Sequence, residues 1–508
     1  MTHCSWAEWC NWRITSVAGL RATLRRMYLP EAFAVRTLGR LLFGCILGGL
    51  GLGGFARGEV APVRVSIRVD PSEVIENIPE DFLGFGYEAS AVARSGYFSP
   101  QNKTLVQLYC TLTTHGLVRI GGNVSDHTQY VADGVAAARP QTQTTVINRQ
   151  SLLDLGGFLR ATGWKAIWGL NLGTGTSQEA VEEALAVSAA LGDRLECFQI
   201  GNEVDQLPRF HGDYDAYHAA FLEYKAAIRA ALPSAAFSGP DVASHADWAV
   251  KFATAEAADL RYVTIHYYRT GAQNPNATAK VLLQSDGSLD TKLRAIRQAS
   301  RSSSVDYRIV ETNSFYGGGK PGVSDRFGSA LWCLDYLFHL ASEECRGVNL
   351  ETDINHLGWV SHYSPIFRDD RGNLVARPSY YAMLAFSLAG KGKFIQSRVE
   401  NAQVNLTAYS TMDPHGVLWV TVINKDLLQS AEAEIALPPG YVGANLFRLS
   451  APAVDSPDHV TLAGTQVSSD GTWTAGPLEE ISVGKSLAEL RVPAASAALL
   501  RCSPLESR

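Results

Sequence analysis

Cys197-Phe198-Gln199-Ile200-Gly201-Asn202-Glu203 and Tyr307-Arg308-Ile309-Val310-Glu311-Thr312-Asn313 share one design, an apolar run that ends in a carboxylate. A Glu just past a buried strand has a rigidly held backbone and a side chain that can face a cleft. Two such acids on parallel strands of one barrel are the least that cleavage of a glycosidic bond requires. A single Glu at a strand end reads equally well as a salt-bridge partner; the matched pair points to chemistry. Glu351 and Asp353, in Asn349-Leu350-Glu351-Thr352-Asp353, end another run and compete for the same role, and Asp205 and Asp241 lie near the ends of others.

Outward from these two runs, strand-like and helix-like segments alternate. Phe82–Tyr87, Leu117–Gly121, Lys165–Leu172, Phe198–Gly201, Ala236–Gly239, Tyr262–Tyr267, Tyr307–Val310 and Gly347–Leu350 are eight candidate strands, mostly apolar throughout, as strands covered on both faces must be. Between them, Tyr217, Phe221, Tyr224, Ile228 and Leu232 repeat at helical spacing behind Asp213, a candidate N-cap. Val181 and Leu185 follow Ser177 in the same way, and Leu289, Leu293 and Ile296 follow Ser288. This alternation predicts an α/β chain built on a (β/α)8 TIM barrel over 73–392. A doubly wound open sheet is the rival, but no G-x-G-x-x-G follows the first strand. Val63, Val65, Ile67 and Val69 alternate with polar residues in an isolated strand that Pro71 ends. Beyond Lys393 the period returns to two, with turn clusters at Pro438-Pro439-Gly440 and Asp470-Gly471. Residues 393–508 therefore read as a C-terminal β-sandwich domain that also takes in the N-terminal strand at 61–72.

The chain has 508 residues, 46% hydrophobic and 19% charged, enough for two folded units. A net charge of -6 offers no general attraction to nucleic acid or to an anionic membrane surface. Residues 1–60 read as addressing: Arg36 and Arg40 precede the apolar run Leu41 to Phe55, short for a membrane span and followed by small residues. This predicts a signal peptide, with Met27 as a possible true start and a secreted or periplasmic protein as the outcome. An uncleaved N-terminal anchor is the alternative; with the signal removed, no stable membrane insertion is expected. Cys4, Cys10 and Cys45 fall in that leader. The other five cysteines are scattered without zinc spacing, and the twelve histidines show no H-E-x-x-H, so neither metal nor cofactor is expected.

The stretch Glu311-Thr-Asn-Ser-Phe-Tyr316-Gly-Gly-Gly-Lys-Pro-Gly-Val-Ser-Asp325, with Asn202-Glu203 before it, resembles glycoside hydrolase family 79, the heparanase-like β-glucuronidases of a (β/α)8 retaining clan. The resemblance runs discontinuously from Asp81 to about Phe394. It implies Glu203 as acid/base after the fourth strand and Glu311 as nucleophile after the seventh, ranking Glu311 ahead of Glu351. Asn202 would then bind a sugar hydroxyl beside the reacting carbon. Tyr267, in Ile265-His266-Tyr267-Tyr268, corresponds to a phenol that bonds the nucleophile, which leaves His266 and Tyr268 to pack on the strand's opposite face. Many clan members have a His two places before that Tyr, where this chain has Ile265. Glu88 matches an acid that holds sugar hydroxyls, an Asp in heparanase, and Asn123 matches a sugar-contacting position or a turn Asn. Tyr363, in His362-Tyr363-Ser364-Pro365, matches the loop that binds the uronate carboxylate, with Tyr316 as a second phenol. Core packing is the other reading of each Tyr.

The expectation is a retaining exo-β-glucuronidase whose partner is a carbohydrate with a terminal β-linked glucuronate. The chain shows no Lys/Arg cluster to grip a sulfated polymer, but an endo-acting heparanase-type enzyme or another retaining clan β-glycosidase stays open. So does a barrel that binds glycans without cutting them.

Overall fold

The computed structural model describes residues 61–135, 137, 144–355, 360–400 and 403–504; the leader at 1–60 lies outside the described residues. Eight parallel strands close into a barrel: Leu83–Glu88, Leu117–Gly121, Lys165–Leu170, Leu195–Ile200, Phe237–Val242, Leu260–Gly271, Tyr307–Tyr316 and Val348–Glu351. Each overlaps one of the eight runs read from the sequence. The eighth pairs with the first, Val348 opposite Leu83 and Glu351 opposite Gly86, so no edge is left open. Leu117, Ile167, Cys197, Tyr262 and Val310 form a small apolar cluster within these strands.

Helices flank the barrel with their apolar stripes turned inward. The helix Tyr214–Ala231 starts at Asp213, whose side chain accepts from Asp215 N and Ala216 N, and it buries Tyr217, Phe221, Tyr224 and Ile228. Two other helix starts fall one or two residues before the Ser read from the sequence. Thr176 caps the helix Ser177–Leu191 in a reciprocal box with Glu179, and Asp286 caps Gly287–Ser303.

The second unit is one ten-stranded sheet in which Tyr441–Ser450 also pairs with Ser496–Pro504, folding the sheet around its own core of Val65, Ile67, Val420, Val422, Ile435 and Leu490. Val63–Ile78 lies inside it, antiparallel to Gly392–Glu400 and parallel to Ala431–Ala436. Pro71 does not end that strand: pairing skips from Asp70 to Val74, and the missing N–H falls in this irregular step. Ser496–Pro504 was not legible as a strand, because an Ala- and Leu-rich run carries no period-two signal. The helices Phe327–Ser342 and Pro378–Ala389 are apolar nearly all round because both pack between barrel and sheet. Asp335 pins the contact, accepting from Tyr409 Oη at 2.9 Å and from Thr407 Oγ1 and Lys425 Nζ, each at 2.5 Å.

Candidate active site

Glu203 and Glu311 meet at the C-terminal mouth of the barrel. A carboxylate oxygen of each and a ring nitrogen of His266 all lie within 4.8 Å of one another. Glu203 is placed by a loop, three residues past its strand, with φ at +42° after Gly201 at +88°. A left-handed non-glycine persists only where its surroundings over-determine it. Here two buried aspartates do so. Asp126 accepts from Leu172 N, Gly173 N and Asn202 N, and Asp205 accepts from Ala243 N, Ser244 N and His245 N.

Glu311 is placed differently. The strand does not stop at Val310 as the sequence suggested but runs on to Tyr316, so the acid lies within it. Pairing with the neighbouring strand slips by one residue between Ile309 and Glu311. Val310 therefore joins the inner apolar cluster while the next residue, Glu311, also faces the site. Thr312 then turns outward to Tyr336. Without this bulge, strict alternation would send Glu311 to the helix side.

Arg119, on the second barrel strand and 1% exposed, is the hub. Its Nη1 donates to Glu311 Oε2 at 2.9 Å, its Nη2 to Asn202 Oδ1 and Asp241 Oδ2, both at 2.5 Å, and its Nε to Gln199 Oε1 at 3.1 Å. Gly121 gives the guanidinium its place: a Cβ there would stand 2.5 Å from Cζ of Arg119. Asn202 in turn donates to Asn123 Oδ1 at 3.0 Å, so both expected sugar-binding amides lie beside Glu203. Glu88 packs against Gly122, accepts from Val124 N at 2.8 Å, and has its pKa pushed up to about 8, by burial first and by the charge of Glu311 as well.

The sixth strand reverses one expectation. Tyr267 does not reach the nucleophile: its hydroxyl donates to Asp286 at 2.6 Å and its ring stacks on Tyr336, outside the barrel. Tyr268 faces in and donates to Glu311 Oε1 at 3.0 Å, and His266, two residues earlier, shares that face. The extra residue of the slip before Glu311 lies on the seventh strand, so the sixth keeps its alternation from Ile265 to Tyr268, and Ile265 in the outer core fixes 266 and 268 as inward. The His two places before the bonding Tyr is thus present, as His266 before Tyr268. That spacing was the signal missed.

Burial pulls the pKa of His266 down, but Glu311, Asp241 and Glu203 outweigh it and lift it to about 10. Burial raises the carboxyl of Glu203, and the charge of Glu311 adds to that, against a lowering by His266. The Glu203–His266–Glu311 group has metal-like spacing, and a metal there would need the bare ring nitrogen of a neutral His266. Glu351 also enters the barrel but is 5% exposed beside Gly86, with burial raising its pKa well above the carboxylate range. Tyr363, buried, stacks over Tyr268 at 6.3 Å between centroids, and Tyr316, 45% exposed, meets the same ring edge-on at 6.2 Å. From sequence Arg119 had no role, His266 and Tyr268 were expected to pack on the strand's opposite face and Asp241 stood only among the acids near strand ends, because which strand residues point inward is not written in their local pattern.

A closed eightfold barrel, an appended β-sheet unit and two carboxyls facing each other at the barrel mouth make an arrangement suited to cleaving a glycosidic bond. Comparison with known proteins agrees. The chain is 26% identical over 353 residues to a β-glucuronidase of Aspergillus niger, a match spanning 60% of this chain and 63% of that relative. It is 23% identical over 369 residues to a hyaluronoglucuronidase of Hirudo nipponia, spanning 63% of this chain and 72% of that one. In fold it is similar to a 4-O-α-L-rhamnosyl-β-D-glucuronidase of Fusarium oxysporum, with a TM-score of 0.72 and 18% identity over 86% of this chain and 99% of that one. No family model matches.

Proposed function

We propose that this chain is a retaining exo-β-glucuronidase, freeing glucuronic acid from the non-reducing end of glycans or glycosides by double displacement, and that it is exported. The observation that carries the reading is the approach of Glu203 and Glu311 to within 4.8 Å. Retaining pairs stand about 5–5.5 Å apart, whereas inverting pairs leave about 6.5–9.5 Å for a water. Glu311 attacks the anomeric carbon while Glu203, whose pKa is raised, protonates the leaving oxygen. The anomeric carbon–oxygen bond to the aglycone breaks as the bond to Glu311 forms. Glu203 then takes a proton from water, which displaces Glu311 and releases the sugar with its configuration kept. Arg119 and Tyr268 steady Glu311 through both steps. Tyr363 and Tyr316 flank Tyr268, where neutral phenols would meet the uronate carboxylate without a buried cation. The relatives' names support the glucuronide as substrate.

The test is a panel of nitrophenyl glycosides with the wild type, Glu203→Ala and Glu311→Ala. Turnover of the glucuronide is expected, falling at least about a thousandfold in Glu311→Ala. Azide should rescue Glu203→Ala on activated leaving groups, and the first-formed sugar anomer, followed by NMR, should be β. An α first product rejects retention; preference for heparan sulfate over p-nitrophenyl glucuronide rejects the exo mode; preference for a glucoside or xyloside rejects the uronate subsite.

A further inference from the structure

One buried carboxylate has no task in that chemistry. Asp241, on the fifth barrel strand, is 1% exposed and left-handed at φ +66°. Its Oδ2 accepts from Arg119 Nη2 at 2.5 Å; its Oδ1 accepts from Gln199 Nε2 at 2.9 Å and lies 3.2 Å from His266 Nε2. The two basic side chains it touches are the two that touch the catalytic carboxyls. Arg119 Nη1 bonds Glu311, and His266 Nδ1 stands 3.3 Å from Glu203 Oε1 and 3.6 Å from Glu311 Oε2.

A neutral imidazole has one N–H and one bare nitrogen. Were Nε2 bare, its lone pair would face Asp241; were Nδ1 bare, it would face Glu203 and Glu311. Only the imidazolium turns no lone pair towards a carboxylate: its Nδ1–H faces Glu203, and its Nε2 stands beside Asp241 as an ion pair without a formed hydrogen bond. Charge balance agrees: with Glu203, Glu88 and Glu351 protonated, as their burial favours, the anions Glu311 and Asp241 match Arg119 and an imidazolium at His266, and a buried charge without a partner is strongly disfavoured.

We infer that Asp241 is a positioning residue that holds His266 doubly protonated and Arg119 in place, so that each catalytic carboxyl faces an N–H. Its catalytic part rests on the double-displacement reading above. The titratable groups that face this cluster come from seven elements: Glu88 from the first strand, Arg119 from the second, Glu203 from the loop after the fourth, Asp241 from the fifth, His266 and Tyr268 from the sixth, Glu311 from the seventh and Glu351 from the eighth. Asp126 and Tyr217 are within electrostatic reach of Asp241, and Asp205 and Lys292 of Glu203. The raised pKa of His266, about 10, and the lowered one of Asp241, about 2 against the burial that opposes it, fit this assignment.

The experiment uses the full chain labelled with ¹⁵N-histidine. Long-range ¹H–¹⁵N spectra are recorded from about pH 6 to about pH 9, the range over which ordinary histidines lose their proton. The signal of His266 is assigned by its loss in His266→Gln. In the wild type it should show the imidazolium pattern throughout. Asp241→Asn keeps the shape and tolerates the left-handed backbone; in it His266 should turn neutral within that range, a shift of more than about one pH unit. On p-nitrophenyl glucuronide the same variant should lose at least about tenfold in kcat/KM. Its alkaline limb should move to lower pH as His266 gives up its proton, and a thermal melt reports whether it is folded. A neutral wild-type His266 at pH 7 overturns the inference, as does an unchanged titration in folded Asp241→Asn. If the variant does not fold, the wild-type spectrum decides alone. A wild type inert on every glycoside ends the glucuronidase reading, while the spectra still decide what Asp241 does to His266.

Discussion

Tyr267 and Tyr268 are chain neighbours with opposite surroundings. The hydroxyl of Tyr268 donates to Glu311, a bond to a charged partner worth about 1.5–3 kcal/mol. That of Tyr267 donates to Asp286, the capping residue of a helix outside the barrel. The pair therefore makes an internal control. Tyr268→Phe should lower kcat/KM on a glucuronide roughly tenfold to a hundredfold, beyond whatever stability the lost bond costs. Tyr267→Phe should keep near wild-type turnover while losing about 1.5–3 kcal/mol in denaturant unfolding. Equal kinetic losses in the two variants would overturn the facing assigned here.

At the scale of an element, two local features aim the chemistry. The bulge after Ile309 turns Glu311 inward, and the second strand ends in Gly121 so that the guanidinium of Arg119 can lie over it. That guanidinium is tied by four hydrogen bonds to Gln199, Glu311, Asn202 and Asp241, so it cannot swing away to admit a methyl group. Gly121→Ala should displace it and cut kcat/KM by at least about tenfold, since small misplacements of catalytic groups are costly. A steady-state assay beside a thermal melt checks this; wild-type turnover in a folded Gly121→Ala would show that Arg119 has slack.

Across the whole molecule, the buried acids set how stability varies with pH. Glu183, buried and accepting from Trp168 Nε1 at 2.8 Å, has its pKa pushed to about 7 by burial, and Glu88 to about 8, from an ordinary 4.5. Between those values the folded chain holds protons that the unfolded chain has released, so stability falls as pH rises through about 4.5 to 8. His266 acts in the same direction: its contribution is complete below 6.5 and is lost as pH rises towards about 10. Asp241, held near 2, withdraws its contribution only as pH falls below 3.8. The melting temperature should therefore be highest in mild acid and decline towards pH 8. Glu183→Gln, away from the catalytic pair, should keep activity and flatten that decline; a slope unchanged from wild type would exclude Glu183 as a source.

The order of strands and helices was legible in the chain because a barrel strand covered on both faces must be apolar, and a flanking helix must carry an apolar stripe. The paired acids were legible too, as carboxylates that end such runs. Whether a given side chain looks into the barrel was not. Alternation assigns faces only once a register is known, and one extra residue before Glu311 inverts it; the same two-residue period, unbroken in the sixth strand, moved the phenol on the nucleophile from Tyr267 to Tyr268. Arg119 and Asp241 stand 122 positions apart, and their ion pair exists only because the barrel closes. Local sequence sets what each segment can bury; long-range pairing alone decides which charges then face one another.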